Sequence, residues 1–354
     1  MPAITKPSNH FDAILYTGNG ATIPSSQSIT GLQFQPDFTW IKSRSAAYPN
    51  FVFDAVRGAG RELETNSAAT ETNKDQLSAF NSNGFSVAVA SDGSLGTNGN
   101  GSTFVAWNWN AGGSTVTNTT GSISSQVRAN PTAGFSVVTW TGNGVTAATV
   151  GHGLQAIPAM IICKERSGTD YWHVKHKSTG TNTNLFLNTT SASTSAASVG
   201  DGILGDLSSN TTFGFATAGS PNNVVAVNEN GITNVAYCWS EIPGYSAFGS
   251  YTGNGSTDGP FIYTGFRPRM LIIKRSGDGV NDWAILDTAR EPNNVGIAGL
   301  KPNSSSAQYS GYNYRDMLSN GFKLRNGDSD VNNSGSTYIY AAFAEAPFKF
   351  ASAR

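Results

Sequence analysis

The chain has 354 residues, 40 of them Gly, with 13% charged and 11% aromatic residues and a formal net charge of −1. That length suits two or three domains at roughly 100–200 residues each. Low charge with many aromatics excludes a disordered chain, and the near-neutral balance offers no basic face for nucleic acid.

No apolar run approaches the ~18 residues of a membrane span, so no membrane insertion is expected. The opening "MPAITKPSNHFDAILYT" lacks the basic-then-apolar order of a secretory signal, which points to synthesis in a cytoplasm. Cys163 and Cys238 lie in apolar runs and read as buried free thiols, too few for a disulfide framework.

In chain order, the first predicted strand is "FDAILYT" (11–17), which runs into the turn "TGNG" (17–20). "GLQFQPDFTWIKSRS" (31–45) follows and contains a second strand, and "FDAVRG" (53–58) carries Asp54 and Arg57. A single helical turn is expected around "TNKDQLSAF" (72–80), then a Gly-Phe pair at 84–85 and the strand "FVAWNW" (104–109). The strand-sized runs are short, rich in β-branched and aromatic residues, and bounded by Gly, Asn or Pro.

The same order then repeats. TGNG returns at 141–144 and 252–255, each time behind an aromatic residue: Tyr16, Trp140 and Tyr251. "GLQAIPAMIICKERS" (153–167) and "GFRPRMLIIKRS" (265–276) repeat the second landmark, with a lysine six residues after a proline at Lys42, Lys164 and Lys274. Leu-x-x-Asn begins at Leu63, Leu185 and Leu300, and Gly-Phe returns at 214–215 and 321–322. Asn-x-x-Gly-x-Thr starts at Asn98, Asn228 and Asn332. From the first threonine of TGNG to the last threonine of this motif the distance is 86, 92 and 85 residues.

Units of this size are domains rather than solenoid repeats. The expected fold class is all-β, with three tandem antiparallel β-sandwich domains, jelly-roll-like and each of six to eight strands. The boundaries are 1–112, 133–244 and 245–354. Residues 113–132 are either a flexible linker or two extended segments. The arrangement expected is beads on a string. The second and third units are joined closely by "SEIPGYSAF" (240–248), and the first is held more loosely.

Candidate chemistry is sparse. TGNG lacks the lysine, third glycine and helix of a phosphate loop and reads as a turn. Asp54 and Asp287, each followed three residues on by Arg57 or Arg290, read as ion pairs holding a turn; His176 takes that place in the second unit. His173 and His176 point to opposite faces of a strand, so no metal is expected there. Asp328, Asp330 and Asn332 alternate as oxygen donors, but Asn333 stands where a calcium loop needs Gly. No cofactor and no catalytic residue is assigned.

Aromatics shared by all units read as core. Binding is sought in stretches that differ between units, foremost "QYSGYNYRD" (308–316), where Tyr309, Tyr312, Tyr314 and Arg315 sit among Ser, Gly and Asn. Tyr in that company supplies rigid amphipathic area beside adaptable hydrogen bonds. Tyr48 in the first unit, and Lys175 with Lys177 in the second, are weaker candidates.

Taken together, "YTGNG", "GLQFQPDFTWIKSRS", "FDAVRG", "SNGFKLR", "GSTYIYAAFAEAPF" and "GFSVVTWTGNG" resemble a family of repeat-containing virion proteins of tailed bacteriophages. Its members look like tail-fibre, adhesin or other structural proteins, and it has no catalytic residues to carry over. The resemblance implies a non-enzymatic virion protein assembled in the host cytoplasm, a homo-oligomer whose partners are other virion proteins and host cell-surface carbohydrate. Two placements follow: a tail fibre or receptor-binding component, or a decoration or fibre on the capsid head.

Overall fold

The computed structural model describes residues 4–195, 203–216, 226–311 and 314–345. Each unit is a pair of facing sheets. In the first unit the larger sheet runs in spatial order Phe11–Thr17, Thr103–Trp109, Phe38–Ser43, Asn50–Asp54, Arg61–Glu64, Thr72–Asn73. Its smaller sheet is Gln27–Thr30, Gly84–Val87, Leu77–Asn81. First strand pairs with last and second with next-to-last, as in a jelly roll. The third strand then turns by a hairpin into the fourth within the same sheet, where a jelly roll would cross to the other.

The second and third units repeat the plan. Their larger sheets centre on Phe135–Thr141, Thr233–Ser240, Pro158–Glu165 and on Ser246–Thr252, Thr337–Ala344, Pro268–Arg275. Residues 72–81, expected as a helical turn, form the strands Thr72–Asn73 and Leu77–Asn81 instead. The sheet edge and the Glu62 side chain, which accepts bonds from Thr72 and Gln76, hold this stretch extended. Within 113–132, Val116–Asn118 and Ser125–Asn130 add two strands to the edge of the second unit's larger sheet. Arg128 from this addition pairs with Asp37 of the first unit at 2.5 Å.

The units are not strung apart as beads. Strands of the larger sheets are buried on both faces, as Phe38–Ser43 and Pro158–Glu165 are along their whole length. One face packs on the unit's own smaller sheet, giving three separate local cores. The other face of all three larger sheets enters a single shared core. At its centre the equivalent residues Trp109, Trp239 and Phe343 form a triangle with ring centroids 5.9, 5.3 and 6.4 Å apart. The first unit is as deeply engaged as the others, because its Phe11 and Phe38 also pack on this triangle.

Polar contacts follow the same cycle. Trp172 Nε1 of the second unit donates to Glu64 O of the first (2.9 Å), and Trp283 Nε1 of the third to Phe186 O of the second (3.0 Å). Asn50 Nδ2 of the first closes the ring on Ser304 O of the third (2.8 Å). This is a head-to-tail interface that closes after three steps, here inside one chain. Buried Lys42 and Lys274 bind carbonyls of the neighbouring unit, Ser305 O at 2.7 Å and Thr190 O at 2.9 Å. Among the described residues Lys164 binds its own unit, at Glu165 O and Gly168 O, and Arg166 makes that junction through Glu71 at 2.8 Å.

Candidate ligand-binding surface of the third unit

Many of the residues with chemical potential hold the ring together. Each TGNG loop is clamped by the asparagine of the later Asn-x-x-Gly-x-Thr motif. Asn19 N donates to Asn98 Oδ1 and Asn98 Nδ2 returns a bond to Asn19 Oδ1, both at 3.1 Å. The same exchange joins Asn143 to Asn228 at 3.2 and 3.0 Å, and Asn254 to Asn332 at 2.9 and 3.1 Å. A Cβ on Gly18, the first glycine of the motif, would stand 2.4 Å from Gly99 O, so only glycine fits there. The last glycine, Gly20, has φ +74° and takes the left-handed turn.

Asp54 receives Tyr237 OH of the second unit at 2.9 Å and forms a buried ion pair with Arg57. Asp287 receives Trp107 Nε1 of the first unit at 3.1 Å beside Arg290. His176 donates from Nε2 to Tyr340 O of the third unit at 3.2 Å, completing that ring. Burial lowers its pKa to about 3, so it is a neutral hydrogen-bonding side chain. Among the described residues no group of three or more His, Cys, Asp or Glu is placed to hold a metal ion.

The sequence-predicted binding residues divide. Tyr314 and Arg315 are buried at 2% and 1% exposure. Arg315 Nη1 pairs with Glu291 at 2.9 Å and its Nη2 binds Asp287 O at 3.0 Å. It is a structural cation, not part of an exposed paratope, because the strand Arg315–Leu318 turns its odd positions into the local core. Tyr312 lies outside the described residues. Lys175 is likewise buried, on Asp206 at 2.7 Å.

Tyr309 stays half-buried, edge-on to Tyr314 at 5.6 Å, and Lys301 lies over its ring at 5.2 Å. These three residues, with Ser306, Asp328 and Asp330, line a cavity of about 300 Å³. Two stretches that sequence reading kept separate, 308–316 and 326–335, thus meet at one place. Lys301 Nζ bridges Asp282 at 2.5 Å and Asp330 at 3.3 Å, so an ammonium already occupies the position a bound cation would take. Burial opposes that charge, but the hydrogen bond to Asp282 and the two carboxylates outweigh it and raise the lysine's pKa. Burial pushes the Tyr309 hydroxyl up to about 12. Asn332 supplies no ligand here, its amide being spent on Asn254, Ser256 and Asn326. The cavity can bind a neutral polar group between a tyrosine ring and an ion pair.

A single family model covers residues 6–347 and therefore all three units together: a domain of unknown function, DUF7483. The chain belongs to that family. No curated protein and no solved structure matches it.

The threefold plan of this DUF7483 chain also provides an internal comparison that sequence reading left unused. On the smaller sheets, the residue paired with the glycine of Gly-Phe is Thr30 in the first unit, Thr149 in the second and Tyr263 in the third. Two residues earlier stand Ser28, Ala147 and Phe261. Phe261 and Tyr263 are 45% and 67% exposed on the outer face, while Ile262 between them enters the core. The alternation in "FIY" and its departure from the other units were both readable signals.

Proposed function

We propose that this chain is a non-enzymatic structural protein of a bacteriophage particle, a tail-fibre or receptor-binding component that engages host-surface glycans. One observation carries the reading. Three copies of one unit are locked into a single closed body by shared buried contacts, and among the described residues the third copy adds the Lys301–Tyr309–Asp330 cavity and an exposed aromatic pair. A repeated scaffold with one diversified face is the economy of a binding protein, in which rigid elements present the site. Asp54, Asp287 and His176 are committed to contacts between units, which favours architecture over proton transfer for these three.

The test is location. Gold-labelled antibody against the purified chain, applied to particles of the phage that encodes it, is expected to mark the tail tip or fibres. Label confined to the capsid shell would overturn the tail-fibre placement in favour of a head decoration. Absence from particles would sink the virion reading altogether. Pre-incubating host cells with the purified protein is expected to reduce phage adsorption.

A further inference from the structure

We infer that the outer face of the third unit's smaller sheet is a saccharide-stacking platform, centred on Phe261 and Tyr263 and separate from the Lys301 cavity. The inference rests on the proposed glycan engagement for its biological setting, and on the face itself for its physics.

Phe261 and Tyr263 occupy alternate positions on the strand Phe261–Tyr263, so their rings rise from the same side about 7 Å apart. Neither ring is required by the fold, since the first unit builds the same ladder with Ser28 and Thr30. The glycine across the ladder is common to all three sheets as well. A Cβ on Gly321 would meet Ile262 O at 2.1 Å, and one on Gly84 would meet Ile29 O at 1.9 Å. Phe261 rests over Gly321 with two ring atoms at 2.9 and 3.0 Å from that Cβ position, which fixes the orientation of its ring. Gly321 stands between Tyr263 and Leu318, its two ladder partners, and is covered by the Phe261 ring.

Polar groups border the rings. Lys323, directly across from Phe261, pairs with Asp258 at 2.7 Å, and the adjacent Asp316 faces Arg325 at 3.5 Å. The occupant therefore needs one apolar face for the rings and a polar edge for the charged pairs. A pyranose has both: its axial C–H groups stack on the electron-rich ring faces, and its equatorial hydroxyls reach the ammonium and carboxylates. The exposed ring area, about 200 Å² for the pair at roughly 200 Å² a ring, is far below the ~800 Å² per partner of a stable protein interface. The two rings by themselves are the size of a small ligand's face, not of a protein interface.

The experiment uses the full chain and five neutral hexasaccharide probes, of β-1,4-glucose, α-1,4-glucose, mannose, galactose and N-acetylglucosamine. Binding is read by saturation-transfer NMR and by titration. The wild type is expected to bind at least one probe, with transfer strongest at axial ring protons. Phe261→Ser with Tyr263→Thr installs the first unit's residues on a face that already tolerates them, and should weaken binding at least tenfold without changing Tm. Val145→Thr, at an exposed apolar residue of the second unit, should leave binding intact. Equal binding by the double variant would overturn the platform while leaving glycan engagement standing. No binding of any probe by the wild type would overturn both. Sedimentation showing a dimer that the double variant abolishes would assign the face to a second copy and overturn the inference.

Discussion

His176 makes the structure acid-sensitive at a defined place. It is fully buried in the second unit, its Nε2 donates to Tyr340 O at 3.2 Å and its Nδ1 accepts the Ser178 N–H at 3.1 Å. The bond to Nδ1 requires the neutral ring, and burial, outweighing the bond to Tyr340 O that favours the charged form, lowers its pKa from 6.5 to about 3. The unfolded chain takes up this proton below about pH 6.5, and the folded chain only below about pH 3. The unfolded state therefore binds more protons in between, and stability present at neutral pH is lost as the pH falls through that window. Between pH 7 and 4.5 nearly two units of differential binding accumulate, roughly 2.5 kcal/mol at 1.36 kcal/mol per unit. Other groups titrate there too: burial raises Asp37 to about 6 and Glu165 to about 7, which favours the folded state as the pH falls. Comparison with His176→Gln, which keeps a donor for Tyr340 O and does not titrate, cancels these. Urea unfolding followed by tryptophan fluorescence should show the wild type losing about 2.5 kcal/mol more than the variant over that range. Parallel pH dependences in the two proteins would refute the reasoning.

Three further outcomes follow from the packing. Trp109→Ala should cost about 3–5 kcal/mol by emptying the centre of the shared core, and calorimetry of the wild type should show one transition for all three units, where independent beads would give several. Asn98→Ala removes the reciprocal bonds to Asn19 and the bond to Ala21 O, and should lower stability by about 1–3 kcal/mol in chemical denaturation. Arg315→Ala leaves Glu291 without its partner and should destabilise by about 3–5 kcal/mol, so any loss of ligand binding in that variant should track unfolded protein in a thermal melt.

The repeat and the turns were legible because their chemistry is local. Thr-Gly-Asn-Gly and Asn-x-x-Gly-x-Thr appear in every unit, and the structure joins them through one asparagine pair each time. Their pairing across about 80 residues was not legible, since nothing in either motif names its partner. Of the residues singled out foremost for binding, two are buried, which the residues around them in sequence do not reveal. Tyr314 and Arg315 look exposed among Ser, Gly and Asn, yet Tyr314 packs in the local core and Arg315 is buried at the start of the strand that follows.

The sequence by itself determined an all-β chain of three related sandwiches, because alternation, β-branched runs and Gly-Asn turns are properties of neighbouring residues. Only the tertiary structure decided that the three close into one ring. A strand buried on both faces reads as a continuous apolar run, as "AMIIC" (159–163) does, and carries no polar alternation to show that a second layer covers it. Which face meets the unit's own small sheet and which meets the other two units is settled by contacts such as Trp172 to Glu64, 108 residues apart, and Trp109 to Phe343 at the axis.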